Sequence, residues 1–300
     1  MEALIGAFLT PGMWNVALNM VMVSVASLYL LAIGVARHRF PRATSVSPGR
    51  KMLFLIGLVL LYLALGSPLY EIGHELFSAH MLQQSILYLV MPPLLIRGIP
   101  DWMWRWALTH PPVRKWADWG RRPIVGLVLF NGLFSFYHVP WIFDSLMGNE
   151  GYHLISHAIL TLAAFQMWWP VMTPLEEETV LSPLRKLAYI AAAGILLTPA
   201  CALIIFADHL LFASFSQTSA LFPVLAPRYD QQFGGVIMKI MQEITYGIAL
   251  GHVFWKWIRR EGQANQYGVP DNGPEAHMIE GENRAPDPPV TAKGSGLLRN

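Results

Sequence analysis

Histidine is the residue type in this sequence with the clearest capacity for chemistry. The chain contains 10 histidines. Two of them, His153 and His157, are four residues apart, a spacing that places both imidazoles on one face of a helix. His80 and Gln84 have the same spacing. Imidazole nitrogens bind copper, zinc, iron and nickel, so several such rings in one pocket would form a transition-metal site.

Several other residues are candidates to complete such a site. Met81 follows His80 directly, and its thioether would add affinity for cuprous copper. The carboxylates of Asp144 and Asp230 are candidates to orient a ligating ring or to coordinate the ion directly. The predicted metal ligands and their supports are therefore His80, His138, His153, His157, Met81, Asp144 and Asp230. Whether His74 and His209 join them stays open.

The elements that must position these residues are membrane spans. Hydrophobic residues make up 54% of the chain and charged residues 13%, which indicates a multi-pass membrane protein rather than a soluble enzyme. We predict an all-α membrane protein, a bundle of seven transmembrane helices. The predicted spans cover residues 14–36, 52–70, 80–97, 123–138, 153–170, 186–207 and 233–257. The third span contains the pair Pro92-Pro93, which frees backbone carbonyls and favours a position inside the bundle.

Loop charges predict the orientation of these spans. Arginine and lysine occur after the first, third, fifth and seventh spans, the loop after the sixth has a single Arg228, and the loops after the second and fourth contain acidic residues and no basic ones. The positive-inside rule then places the amino terminus outside and the carboxyl terminus in the cytoplasm. Residues 1–258 form the predicted membrane domain, and the polar composition of 259–300 predicts a disordered cytoplasmic tail.

With this orientation, six histidines fall at the outer side of the membrane. They are His74, His80, His138, His153, His157 and His209. They belong to the ends of four different helices, so they would share one pocket if those ends converge. Each of them taken singly is also explained as an ordinary amphipathic residue at the headgroup layer. The hypothesis of a metal site therefore requires that these helix ends lie close together.

Several other classes of protein are disfavoured by what the sequence lacks. The single Cys201 excludes an internal disulfide and a Cys-x-x-Cys site. A zinc-protease helix is excluded because Ser78 stands where the second histidine would follow His74-Glu75. No phosphate-binding loop or nucleophile elbow occurs, and basic residues form no stripe suited to nucleic acid. We therefore predict a protein that is not an enzyme. A haem protein with two histidine ligands remains the alternative.

Three segments resemble the CtaG family, integral-membrane assembly factors for caa3-type cytochrome c oxidase. They are HMLQQSILYLVMPPLLIRGIP at 80–100, FSFYHVPWIFDSLMGNEGYHLISHAILTLAAFQMWWPVMTP at 134–174, and YDQQFGGVIMK at 229–239. The resemblance covers roughly residues 14–257. It singles out His80, Met81, Gln83, His138, His153, His157, Asp230 and Gln231. Many members have a second histidine where Gln84 stands here, so the third span lacks one imidazole of the family pattern.

The resemblance implies a seven-span protein of the bacterial inner membrane that is needed to produce active oxidase. Copper-centre maturation is the suspected step, and the expected partners are oxidase subunits and membrane lipid. Together with the histidines, this predicts transient copper binding by His80, His138, His153 and His157, with Met81 assisting and Asp144 or Asp230 orienting a ring. A non-metal scaffold for oxidase assembly is a further alternative.

Overall fold

A computed structural model describes residues 2–40, 42–217 and 225–266 of the chain. These residues form helices and no β-strand, which confirms the predicted all-α class. Residues 267–300, most of the predicted tail, lie outside the described residues. In chain order the helices are α1 Glu2–Leu9, α2 Val16–Ile33, α3 Pro48–Leu65, α4 Pro68–Glu75, α5 Phe77–Gly98, α6 Asp101–Ala107, α7 Pro111–Gly120, α8 Pro123–Tyr137, α9 Pro140–Met147, α10 Glu150–Met172, α11 Pro183–Ile205 and α12 Pro227–Gln266.

Five of the described helices, α2, α3, α5, α10 and α11, are long and apolar enough to cross a membrane. The pair α8 and α9, bent by 78°, would make a sixth span. The predicted fourth span, residues 123–138, coincides with α8, which ends because Val139, before Pro140, adopts an extended conformation. The predicted seventh span lies in α12, where charged residues such as Lys239 and Glu243 lower the hydropathy. These two side chains form an ion pair at 2.7 Å.

Helices α5 and α10 occupy the centre of the fold. Their apolar windows are 67% and 56% buried, against 11% for α2, so α5 lies in the interior as predicted. α10 packs against α5 and α8, and α5 packs against α3. The crossing of α3 and α5 is close: a Cβ atom on Gly98 would lie 2.5 Å from the backbone nitrogen of Phe54. The two helices that carry the clustered histidines are therefore held on several sides.

A π-helical segment, Ile86–Val90, interrupts α5 just before the proline pair. Pro92 has no N–H to donate to the carbonyl of Tyr88, four residues earlier. The indole Nε1 of Trp168 on α10 donates to that carbonyl instead, at 3.1 Å. A π turn rotates less per residue than an α turn, so Tyr88 projects closer to the face that carries His80. The π-helical segment is therefore hydrogen-bonded to α10, and its Tyr88 projects toward the histidines.

Ion pairs join the segment after α5 to the loop after α10. Arg105 contacts Glu177 at 2.6 Å, and the hydrogen bond from this guanidinium lowers the pKa of the Glu177 carboxyl. Arg114 contacts Glu178 at 2.9 Å, and the side chain of Glu178 is 2% exposed. A carboxylate this well buried needs its cationic partner. The ends of α5 and α10 away from the histidines are thus linked as well.

Candidate metal centre

Three buried imidazoles from two helices meet at one end of the bundle. His80 projects from the first turn of α5, and His153 and His157 project from the first two turns of α10. One potential ligand atom from each ring lies within 4.8 Å of the others. His80 and His153 are 0% exposed and His157 is 2% exposed. We call these three residues the histidine trio.

Two tyrosines and a glutamine hold the trio in place. The hydroxyl of Tyr88 lies 2.5 Å from Nδ1 of His157. The hydroxyl of Tyr137 lies 3.2 Å from Nε2 of His80, and Nε2 of Gln84 lies 3.0 Å from the same nitrogen. Within the trio, the Nε2 atoms of His153 and His157 are 2.9 Å apart. Neighbours that fix ring orientation in this way are typical of metal-ligating histidines.

Three polar atoms at this site are buried and unpartnered. Among the described residues, His80 Nδ1, His153 Nδ1 and Gln84 Oε1 are buried without a hydrogen-bond partner. Buried polar atoms are almost always satisfied, so this cluster is compatible with a bound ion. Nitrogens bound to one ion at about 2 Å lie at most about 4 Å apart. Small ring rotations would therefore bring the trio into coordination range.

His138 lies outside the trio, although it was predicted to join it. Its Nδ1 donates to the carbonyl of Phe134 at 2.8 Å, which leaves the Nε2 lone pair buried and without a partner among the described residues. Its ring packs against Phe134 and Phe143. The position of His138 at the end of α8, where the chain bends, directs the ring into this aromatic group.

The structure does not bring Met81, Asp144 or Asp230 into the trio. Met81 is fully buried toward α12, where a Cβ atom on Gly234 would lie 3.0 Å from its Cγ. Asp144 accepts hydrogen bonds from the backbone N–H groups of Ala213 and Ser214, at 3.0 and 2.9 Å. Met81 therefore serves packing, and Asp144 accepts hydrogen bonds from the backbone.

Asp230 caps the helix that carries His80. Its Oδ2 accepts from the backbone N–H groups of Phe77 and Ser78 at 2.6 and 3.3 Å, and its Oδ1 accepts from the Ser78 hydroxyl at 2.5 Å. The first N–H groups of a helix lack partners within the helix, and a carboxylate is a favourable cap. Asp230 thus positions α5 as a whole rather than orienting a single imidazole.

The two histidines left open by the sequence occupy different surroundings. His74 on α4 packs edge-on against His153, with ring centroids 4.9 Å apart, and its Nδ1 donates to the carbonyl of Tyr70 at 2.9 Å. The side chain of His209 is 72% exposed and pairs with Asp208 at 2.6 Å. His74 therefore adjoins the trio, whereas the exposed ring of His209 pairs with the neighbouring Asp208.

Sequence reasoning missed Tyr88 and Tyr137. A tyrosine within an apolar run is most simply read as core, and nothing in its spacing from His157 marks a contact across 69 residues. A signal for Tyr88 did exist, because it stands four residues before Pro92 and so at the carbonyl that this proline frees.

The fold and the trio define a class, an α-helical protein with several helices apolar enough to cross a membrane and a buried cluster of imidazoles that could hold a metal ion. The family model of the cytochrome c oxidase caa3 assembly factor, Caa3_CtaG, matches residues 27–260. The chain belongs to this family, which confirms the resemblance drawn from its motifs.

An uncharacterized protein of Mycobacterium leprae (strain TN) is 26% identical over 268 residues, an alignment that covers 79% of this chain and 38% of that protein. The chain thus spans about two fifths of the length of this curated relative. No solved structure matches the chain.

Proposed function

We propose that this protein is a non-enzymatic assembly factor that holds copper on its histidine trio and delivers it to a caa3-type cytochrome c oxidase. The observation that carries the proposal is the convergence of three buried imidazoles from α5 and α10 within 4.8 Å. Copper is the metal that links this donor set to the family's role in assembling a haem-copper oxidase, since imidazole suits copper among the transition metals.

The composition of the trio suits transient binding. All three ligands are neutral, and no cysteine or carboxylate is placed against them among the described residues. These ligands would not neutralise the positive charge of cuprous copper. Burial of an uncompensated charge is unfavourable, so the ion would be held weakly. A site of this kind favours transfer to a partner that offers more or softer ligands.

The proposal includes the predicted topology. Seven spans, with α8 and α9 together as the fourth and α12 as the seventh, put the trio at the outer face of a bacterial inner membrane. The alternation of basic and acidic loops supports this orientation. Copper would then be received and released on the side opposite the cytoplasm, where oxidase subunits would be the acceptors.

A deletion strain complemented with variants of this chain tests the function. The wild-type chain should restore oxidase activity and oxidase copper content, and His153→Ala with His157→Ala should restore neither. His209→Ala is the matched control, because that histidine is exposed and lies in another loop. Full oxidase activity with the double variant, at equal protein level in the membrane, would favour a non-metal scaffold instead.

The haem alternative is disfavoured by geometry. His153 and His157 come from adjacent turns of one helix with ring centroids 4.4 Å apart, and His80 lies 5.5 and 5.8 Å from them. A haem with two histidine ligands needs them on opposite faces of a flat macrocycle, and the three rings leave no slot for one between them. The purified protein should accordingly show no Soret absorbance.

A further inference from the structure

A cleft next to the trio is lined by side chains of the types that attract and bind cations. Its volume is about 890 Å³, and it is lined by parts of the segment 12–21, by residues 65–67, by α4 and by Leu154 of α10. Three of its lining residues carry charge or a metal-binding nitrogen, namely Glu71, His74 and Glu75. The two carboxylates are exposed, and His74 is half-buried behind them.

His74 connects this cleft to the trio. Because its Nδ1 donates to the Tyr70 carbonyl, the lone pair of the His74 ring is on Nε2. Its ring contacts that of His153 at 4.9 Å between centroids, with the planes 74° apart. The ring of Tyr70, a second lining residue of the cleft, lies 6.3 Å from His153. His153 is thus a trio member whose ring contacts two lining residues of the cleft, Tyr70 and His74.

The two nitrogens of His153 have different surroundings, and in the neutral ring only one of them carries a lone pair. Its Nε2 faces Nε2 of His157 at 2.9 Å. Its Nδ1 is buried and has no partner among the described residues, and the residue is 0% exposed. A buried nitrogen without a partner is unusual in a folded protein. An ion that passes from His74 into the trio would give this nitrogen a partner.

We propose that the cleft is the inlet through which copper reaches the trio, and that His74 is its first imidazole ligand. This inference rests on the proposed function. Glu71 and Glu75 attract the cation, His74 binds it through Nε2, and His153 then draws it toward His157 and His80. The step is a ligand exchange: the ion stays cuprous, each nitrogen donates a lone pair, and His74 is released as the trio closes.

Loading kinetics of the purified full chain in detergent test the inlet. Cuprous ion buffered by bicinchoninate is the probe, and uptake is followed by loss of the chelate absorbance. We expect His74→Ala to load roughly tenfold more slowly, because the first ligand is lost. We expect Glu71→Gln to load severalfold more slowly at low salt and to match wild type at high salt, because electrostatic steering is screened. Both variants should reach the wild-type copper content at equilibrium.

Controls separate this inference from the proposed function. His209→Ala and Asp208→Asn alter an exposed His–Asp pair elsewhere and should load at the wild-type rate. Wild-type rates in both His74→Ala and Glu71→Gln would overturn the inlet while leaving the trio's copper site intact. A lowered final copper content in His74→Ala would also overturn it, because His74 would then be a resident ligand. A wild-type chain that takes up no copper would reject the proposed function itself, and the inlet with it.

Discussion

The hydroxyl of Tyr88 fixes the ring of His157 through a single short contact to Nδ1. Removing this contact frees the ring to rotate away from the other two imidazoles. We expect Tyr88→Phe to weaken cuprous binding roughly tenfold, the scale at which partners of metal-ligating histidines act. Competition with a chelator measures the affinity. Tyr189→Phe is the control, because that buried hydroxyl donates to the Met167 carbonyl instead. Equal affinities in the two variants would show that Tyr88 does not position the ring.

Gln84 occupies a position where a fourth imidazole would reach the trio. Its Nε2 lies 3.0 Å from Nε2 of His80. We expect Gln84→His to tighten cuprous binding at least tenfold, which corresponds to about 1.4 kcal/mol, because it adds a nitrogen donor. Gln84→Leu removes the amide without adding a ligand and should bring no comparable gain. An unchanged affinity in Gln84→His would argue that the ion does not lie next to His80.

Residue types and their spacing pointed to the histidine trio, but they suggested roles for Asp230 and Met81 that differ from the contacts of these two residues in the structure. The four-residue spacing of His153 and His157, with His80 at the end of another span, pointed to the trio. Asp230 was a plausible ring partner by chemistry, yet it caps α5 from 153 positions away in the chain. Met81, together with Phe77, packs against Gly234. Both roles depend on how α12 packs against α5, and no local pattern encodes that packing.

The π segment of α5 depends on a hydrogen bond between helices. Trp168→Phe removes the indole that donates to the Tyr88 carbonyl, and an unsatisfied buried carbonyl costs about 1–3 kcal/mol. We expect this variant to unfold at lower temperature in detergent. Pro92→Ala in the same chain should recover part of the loss, because the new backbone N–H can donate to that carbonyl. Pro93→Ala is the matched control, since its N–H would serve Leu89. Equal recovery by both alanine variants would contradict this account of the π segment.

Element boundaries were predicted less well than element type. Every predicted span contains helix in the structure, because long apolar runs have little alternative in a membrane. The fourth span, predicted at residues 123–138, corresponds to α8, but the sequence did not predict that a second helix, α9, would follow from Pro140 at 78° to it. The double proline of α5 showed that carbonyls would be freed. It did not show that the indole of Trp168 would donate a hydrogen bond to one of these carbonyls, since Trp168 is 80 residues away from Tyr88.

At the scale of the whole molecule, the histidine trio is buried between α5 and α10, while other described helices expose apolar surface. Large apolar side chains on α2, α8, α10 and α11 are exposed, among them Val23, Val128, Leu162 and Leu203. Lipid is the environment in which such a surface is stable. The trio is thus carried by the two candidate spans with the largest buried share, and the exposed apolar side chains suit contact with lipid.

Copper content of the purified protein tests the central claim most directly. After loading with cuprous ion and removal of the excess, we expect about one copper per chain, because the trio offers a single set of converging nitrogens. His153→Ala with His157→Ala should retain none above background, while Met81→Leu and Asp144→Asn should retain as much as wild type. A wild-type chain without copper, or a double variant with the wild-type content, would contradict the account.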